Sequence, residues 1–318
     1  MRVLIWHVHG SWTTALVQGN HQFLLPLVPD RGPNGRGRAQ TWDWPPNAVE
    51  VPAAELRSAE FDVAILQRPH ELELMAEWTG RRPGTDVPAV YVEHNTPPGP
   101  AASTLHPLAE QTSIPIVHVT HFNRLMWDNG SAPAEVIEHG VIDPGYRYTG
   151  ERLVVAAVVN EPVRRWRVAG TDTLVELSKE VPVEVFGMGM ASLTGRAPQL
   201  AGVHENLRQD ALHEALGRCR AYFHPYRWTS LGLALIEAMM IGLPVLAWPA
   251  TAAPDAVPAT AGVLSTDPAD LAAAARKWFH DPEEATQVGL AARKHALARF
   301  GVNRFLDDWD RLVKEVVR

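Results

Sequence analysis

Apolar residues fall along this chain in short unbroken runs, separated by amphipathic stretches and Gly/Pro-rich punctuation. Arg2–Val8 (RVLIWHV) reads as a buried first strand. His9-Gly10-Ser11 follows as a tight turn, then a short helix, Trp12–Gln18, capped by Gly19, and a second strand, Gln22–Val28. The alternation resumes with strands at Val49–Pro52, Phe61–Leu66, Val87–Glu93 and Ile114–Thr120. Helices are predicted from Ala53, over Pro69–Gly80 with proline at the first position, and over His121–Asn129. The second half repeats the scheme: strands at Arg152–Val159, Val183–Gly187, Ala201–His204, Arg220–Pro225, Pro244–Trp248 and Gly262–Thr266. Between them lie helices over Thr171–Glu180, Asn206–Gly217 and Leu231–Ile241. Strands that are apolar throughout and alternate with helices belong to parallel sheets covered on both faces, so the fold class is α/β and doubly wound. Asp267–His280, Pro282–Arg299 and Val302–Val317 form a helical tail. The last helix carries an apolar stripe of Phe305, Leu306, Trp309, Leu312 and Val313.

One stretch, Phe223–Pro249, concentrates the chemistry. Between Arg227 and Asp255 its only ionisable side chain is Glu237, inside an apolar helical run with no Lys or Arg one turn away. A buried carboxylate needs a partner, so Glu237 reads as a ligand contact or the mouth of a cleft. Thr229 and Ser230 are good N-cap residues, and Gly242-Leu243-Pro244 stops the helix. Ligands of parallel sheets bind beyond the C-terminal strand ends, at helix N-termini. The N–H groups of Ser230, Leu231 and Gly232 are therefore expected to face such a crevice. Ser230, seven residues before Glu237, is expected on nearly the same helix face. A hydroxyl, a row of N–H donors and a carboxylate suit a nucleoside diphosphate, with N–H groups on phosphate and the carboxylate on the ribose diol.

Composition narrows the classes further. The 318 residues suit one large or two medium domains, and 46% apolar residues allow a sizeable core. A net charge of −7 gives no footprint for nucleic acid as a bulk partner. Cys219 is the only cysteine, which excludes internal disulfides and a cysteine-based metal cluster. Met1 leads directly into a strand, and no apolar run reaches the length of a membrane span. The expectation is a soluble cytoplasmic protein. His7 and His9, and His118 and His121, lie close in sequence but lack a third ligand, so no metal site is expected. Pro29–Pro46 reads as a solvated loop, with Arg31, Arg36 and Arg38 as stray cations available to an anionic acceptor or lipid surface.

His224-Pro225, Gly232-Leu233, Glu237-Ala238-Met239, Gly242 and Pro244-Val245 resemble the C-terminal signature of retaining GT-B glycosyltransferases of the GT4-like (glycosyl transferase group 1) family. That pattern has two glutamates eight positions apart, and Thr229 stands where the first would be. Val136–Asp143 (VIEHGVID) resembles the family's linker between domains, with His139 in place of the usual asparagine. The resemblance covers the second half fairly continuously and the first half thinly. It implies two Rossmann-like domains facing a cleft: an acceptor-side domain over 1–143, a nucleotide-sugar domain over 144–301, and a helix over 302–318 crossing back to the first domain.

The resemblance also implies roles. Glu237 would bind the donor ribose, and His94 and Thr229 would contact the transferred sugar. Gly10, Gly187, His204, Ser230 and Leu231 would line the nucleotide or diphosphate. Ser11 and Thr13 are further candidates in the first turn. Arg164, Arg165 and Arg167 would supply the diphosphate cation, with Arg165 first because its spacing from Asn160 is the family's. Trp12, Trp166, Trp228 and Trp248 fall near this cleft, where packing is the plainer reading than sugar stacking. Glu93, beside His94, is the one candidate nucleophile. The expected reaction is transfer of a sugar from a UDP- or GDP-linked donor to an acceptor hydroxyl, with retention by front-face attack. No cofactor or essential metal is expected. The acceptor would be a small molecule, a glycan or a lipid-linked sugar, the last bringing contact with a membrane surface. A nucleotide-sugar epimerase or hydrolase on the same fold, and a non-catalytic nucleotide-sugar-binding protein, are the alternatives.

Overall fold

The computed structural model describes residues 1–318. The chain divides into two compact units, Met1–Val141 with Val302–Arg318, and Ile142–Gly301. The first unit begins β1 (Arg2–Ile5), α1 (Gly10–Leu16), β2 (Gln22–Leu27), β3 (Ala48–Pro52) and β4 (Val63–Leu66). It continues α2 (Glu71–Thr79), β5 (Ala89–Glu93), β6 (Ile116–His118), α3 (His121–Met126) and β7 (Ala134–Val136). Its seven strands form one sheet in the order β3-β2-β1-β4-β5-β6-β7, and every pairing is parallel. β4 and β5 are buried at every position, which is why their sequences are runs rather than alternations. The helix expected over Pro69–Gly80 starts later, at Glu71. The buried Glu71 carboxylate turns back to accept from the N–H groups of Gln67 (2.6 Å) and Arg68 (3.3 Å), holding the preceding turn outside the helix. The segment after Ala53 is only a short 3-10 turn, Ala53–Glu55.

The second unit runs β8 (Arg152–Val158), α4 (Thr171–Leu177), β9 (Val183–Gly187), α5 (Ala191–Thr194), β10 (Gly202–Glu205), α6 (Gln209–Arg218) and β11 (Cys219–His224). It then runs α7 (Leu233–Ile241), β12 (Val245–Ala247), α8 (Ala253–Ala256), β13 (Gly262–Leu264), α9 (Pro268–His280) and α10 (Pro282–Phe300). Its sheet order is β10-β9-β8-β11-β12-β13, all parallel. The direction of winding therefore reverses at β8/β11, as it does at β1/β4 in the first unit. The ends of strands at such a reversal leave a crevice.

The last helix, α11 (Val302–Val317), belongs to the first unit. Phe305, Trp309, Leu312 and Val313 are buried, and Phe305 and Trp309 meet the edge of Trp12 at 6.0 and 5.5 Å between centroids. Arg304 donates to the carbonyls of Glu138 and His139 (3.1 and 2.6 Å). Gly140 is glycine because a Cβ there would run into the Phe305 side chain.

Helix α10 packs on the end of α7 with no room to spare. A Cβ on Gly289 would strike the Gly242 carbonyl, and Gly242 itself closes α7 at φ 105°. Gly289→Ala sets a helix-propensity gain of about 1 kcal/mol against overpacking onto backbone, which costs about 1–3 kcal/mol. The clash wins because a carbonyl cannot rotate aside as a side chain can. The variant is expected to melt several degrees below wild type by calorimetry; an unchanged or raised Tm would show that the contact relaxes freely.

Buried histidines make the fold acid-sensitive. Burial pushes His118 down to about 4 and His224 to about 3, and both rings are almost wholly enclosed. The unfolded chain binds these protons near the ordinary value of 6.5 and the folded chain does not. The stability they contribute is therefore complete above about pH 6.5 and is lost as pH falls toward 4. Each contributes about 2 kcal/mol of the difference between pH 7.5 and pH 5. Denaturant titrations at the two pH values should show this loss, with a smaller loss in His118→Asn.

Candidate functional site

In the second unit, the crevice at the β8/β11 reversal is built by two loops laced together. The β8–α4 loop, residues 160–170, accepts through the Val168 carbonyl from the N–H of Arg227 (3.0 Å). Gly170 lies at φ 69°, and a Cβ there would overlap the Pro225 carbonyl; only glycine lets the loops touch. Three arginines project from the first loop and have different fates. Arg164 faces Glu161 at 3.4 Å, and Arg167 pairs with Asp172 at 2.8 Å, a carboxylate also held by Arg227 at 2.5 Å. Arg165 has no acidic partner; its guanidinium lies over the Tyr226 ring, 5.6 Å from the centroid. It is the half-buried one of the three, and a cation against an aromatic face is still free to take an anion.

Glu237 is 6% exposed, in the middle of α7. Its partners come from α6: Gln209 Nε2 donates to Oε2 at 3.0 Å, and His213 Nε2 lies 3.4 Å from the same oxygen. Gln209 Nε2 also reaches His213 Nε2 at 2.8 Å. Its two hydrogens can serve both acceptors, with the His213 proton on Nδ1. The other carboxylate oxygen, Oε1, has no protein partner and is not enclosed. No Lys or Arg lies one helical turn away; these partners are 28 and 24 residues distant in sequence, and no motif signals them.

The start of α7 differs from expectation. Helical geometry begins at Leu233, with Gly232 as an N-cap that has extended backbone and no side-chain cap. Neither Thr229 nor Ser230 caps, and Ser230 is not on the helix, so its seven-residue spacing from Glu237 carries no meaning. The His224 ring lies beside this N-cap: a Cβ at position 232 would lie 2.9 Å from its Cε1, so glycine fits there best. His224 is 1% exposed and neither ring nitrogen has a partner. Ser230 and Leu231 are buried at the turn, and Thr229 is half-buried without a side-chain hydrogen bond.

The glycine turn after β9 is also closed on itself. The N–H groups of Gly189 and Met190 donate to the Glu205 carboxylate (2.9 and 2.6 Å), and that of Met188 to Asn160 Oδ1 (3.0 Å). Gly187, at φ 143°, is glycine because a Cβ would meet the Val159 carbonyl. The turn thus has packing reasons of its own and offers no free amides at 188–190. His204 stacks on Phe186 at 4.5 Å and lies 3.3 Å from Glu184, which Arg152 also grips.

The first unit presents a separate group at the ends of β1, β4 and β5. His94 is 6% exposed; its Nε2 meets Gln67 Oε1 at 3.0 Å, and its ring lies 4.0 Å from that of His9. Burial, with His9 and His139 nearby, holds it well below the ordinary histidine range. His9 is likewise pushed down to about 4 by burial, then by Arg68 and Arg36. Gly10 is covered by the Trp42 indole, which occupies the place of a Cβ. Glu93 is committed to structure: Oε1 accepts from Asn95 N–H at 2.7 Å, and Oε2 faces His106 Nε2 at 3.3 Å. Arg31 and Arg38 are likewise engaged, Arg31 with Glu50 and Arg38 with the carbonyls of Pro45 and Ala48. No group of three or more His, Cys, Asp or Glu side chains is placed to hold a metal ion. No helix is long and apolar enough to cross a membrane.

Comparison with known proteins agrees with this architecture. Residues 201–295 match the family model of glycosyl transferases group 1. Sucrose-phosphate synthase from Thermosynechococcus elongatus is 14% identical, with a TM-score of 0.73 over 99% of both chains. HepE from Anabaena, solved with UDP, is 13% identical, with a TM-score of 0.72 over 99% of this chain and 100% of that one. A glycosyltransferase from Rickettsia africae is 14% identical, with a TM-score of 0.65 over 100% and 98%. No curated protein sequence matches. At these identities the likeness is one of fold. The matched residues 201–295 hold Glu237 and its partners, on a chain with the two Rossmann-like domains of the GT-B fold.

Proposed function

We propose that this chain is a glycosyltransferase that moves a sugar from a nucleotide-diphosphate donor to an acceptor hydroxyl, with retention and without a metal of its own. The observation that carries the reading is Glu237, whose Oε2 is held by the Gln209 amide, itself braced on His213, while Oε1 stays without a protein partner. A carboxylate so oriented presents one acceptor oxygen to a diol, as a ribose requires. Arg165 holds the diphosphate, since Arg164 and Arg167 face Glu161 and Asp172. Its charge stabilises the departing nucleotide, where negative charge grows in the transition state. The family segment over 201–295 supports this assignment, as do the HepE structures solved with UDP and with UDP-glucose.

This reading assigns sugar contact to His94 and to Thr229. Glu93 is not assigned a part, because both its oxygens are engaged. The acceptor side of the retaining reaction then uses the leaving phosphate as the group that takes the hydroxyl proton. Thr229, which stands at the family's glutamate position and makes no hydrogen bond, favours a second reading, a nucleotide-sugar-binding protein without turnover. Mass spectrometry of products after incubation with UDP-glucose and candidate acceptors separates the two.

A thermal-shift series with UDP, GDP, UDP-glucose and GDP-mannose tests the donor site. Glu237→Gln keeps the shape and removes the charge, and is expected to weaken the stabilising nucleotide by about 10–100-fold, equivalent to about 1.4–2.8 kcal/mol. Arg165→Ala should weaken UDP by about tenfold while leaving uridine unchanged, and Arg164→Ala should do neither. Equal affinities in wild type and Glu237→Gln would remove the ribose assignment. Turnover unaltered by EDTA is the expected result for a metal-free reaction.

A further inference from the structure

Three strand ends of the first unit are tied by one side chain. Gln67 follows β4, and its backbone N–H is fixed by the Glu71 carboxylate at 2.6 Å. Its amide nitrogen Nε2 donates at 2.6 Å to the carbonyl of Trp6, just past β1. Its amide oxygen Oε1 lies 3.0 Å from Nε2 of His94, just past β5. Gln67 is 4% exposed and His94 6%, so water does not compete strongly for these bonds.

This order settles two assignments that heavy-atom positions alone leave open. A backbone carbonyl only accepts, so the end of the Gln67 amide facing Trp6 must be the NH2 group. The end facing His94 is then the oxygen, which also only accepts. The His94 Nε2 must therefore carry the proton, and in the neutral ring Nδ1 is a bare lone pair. Nδ1 has no protein partner and is not enclosed. His9 lies against one side of the ring at 4.0 Å and Trp12 meets it edge-on at 5.0 Å, so the imidazole is packed in this plane.

We propose that Gln67 is a positioning residue: anchored on the Trp6 carbonyl, it holds His94 as the Nε2–H tautomer and so makes Nδ1 a hydrogen-bond acceptor for a substrate hydroxyl. The inference rests on the glycosyltransferase reading for the identity of that hydroxyl, but the tautomer lock stands independently of it. A histidine in a sugar site can act as donor or acceptor, and the lock decides for acceptor. No motif marks Gln67, which lies 27 residues from His94.

Long-range nitrogen–proton NMR of the histidine rings in the full chain reads the tautomer directly, with His94→Gln used to assign the signal. Wild type is expected to show a pyrrole-type Nε2 and a pyridine-type Nδ1 for His94. Gln67→Met, close in volume but without the acceptor, should lose this single-tautomer pattern. Gln67→Glu keeps an oxygen acceptor toward His94 and should retain a pyrrole-type Nε2. A protonated Nδ1 in wild type overturns the proposal, as does a pattern unchanged in a Gln67→Met variant that melts normally. If Gln67→Met does not fold, the wild-type and Gln67→Glu spectra decide alone. Addition of UDP-glucose should then move the His94 Nδ1 signal in the direction of hydrogen-bond acceptance. Thermal stabilisation by UDP-glucose with no movement at Nδ1 refutes the substrate contact. Absence of any stabilisation by UDP-glucose or the other nucleotide sugars counts against the donor reading instead and leaves the tautomer result standing.

Discussion

A carboxylate in an apolar helix has to be solvated by the protein if water cannot reach it, and in the second unit this constraint falls on Glu237. Every other position of α7 from Leu235 to Ile241 is apolar and buried. Without the Gln209 donor, Oε2 would be a buried acceptor left unpaired, at a cost of about 1–3 kcal/mol. The solution is lateral: α6 supplies Gln209, whose amide donates to Oε2, and His213 one turn on, whose Nε2 takes the other amide hydrogen and holds Gln209 in place. That fixes the rotation of α6 against α7. It also leaves Oε1 outside the internal network, so the device that makes the burial tolerable also orients a free acceptor.

Backbone proximity is the second constraint, and glycines report it. Gly170 lets the β8–α4 loop touch the Pro225 carbonyl, Gly187 lets β9 close against Val159, and Gly232 lets the chain pass the His224 ring. The first of these brings the β8–α4 loop, which carries Arg165, against the β11–α7 loop, which carries Tyr226 and leads to the start of α7. The arginines then sort by acid–base pairing. Asp172 draws Arg167 and Arg227 into one cluster, and Arg165 is left on an aromatic face. A single substitution in that cluster would change which guanidinium is free, so the assignment of Arg165 depends on Asp172 as much as on Arg165 itself.

Much of the architecture was legible in the sequence because parallel strands covered on both faces leave runs that few other structures produce. The strands Arg152–Val158 and Val183–Gly187 and the closing helix Val302–Val317 are where the pattern placed them. Local rules failed where a distant group decided. Thr229 and Ser230 are good caps by type, yet the helix starts past them with Gly232 as its N-cap, beside the His224 ring. Glu93 stood beside His94 as a candidate nucleophile, but a backbone amide and His106 had already claimed both oxygens. Gly187 was expected to line the nucleotide or diphosphate, whereas Glu205 and Asn160 occupy the amides of the turn that follows it. Gln209, His213 and Gln67 were invisible for one reason: amides and imidazoles matter here through hydrogen-bond direction, which spacing along the chain does not encode.

The two units use the same device with opposite polarity. In each, a glutamine amide bridges elements that are far apart in sequence and decides what a neighbouring group can offer. Gln209 gives its N–H hydrogens to Glu237 and His213, so its donors are consumed and Glu237 Oε1 is what remains. Gln67 gives its N–H to a carbonyl and its oxygen to His94, so the lone pair of Nδ1 is what remains. Both leave a bare acceptor, and a bare acceptor selects for hydroxyl donors. A carbonyl or phosphate oxygen in the same place would meet lone pair with lone pair, and in so buried a setting that repulsion is not screened. Groups that present a hydrogen-bond donor, hydroxyls among them, are therefore favoured at each place over groups that only accept.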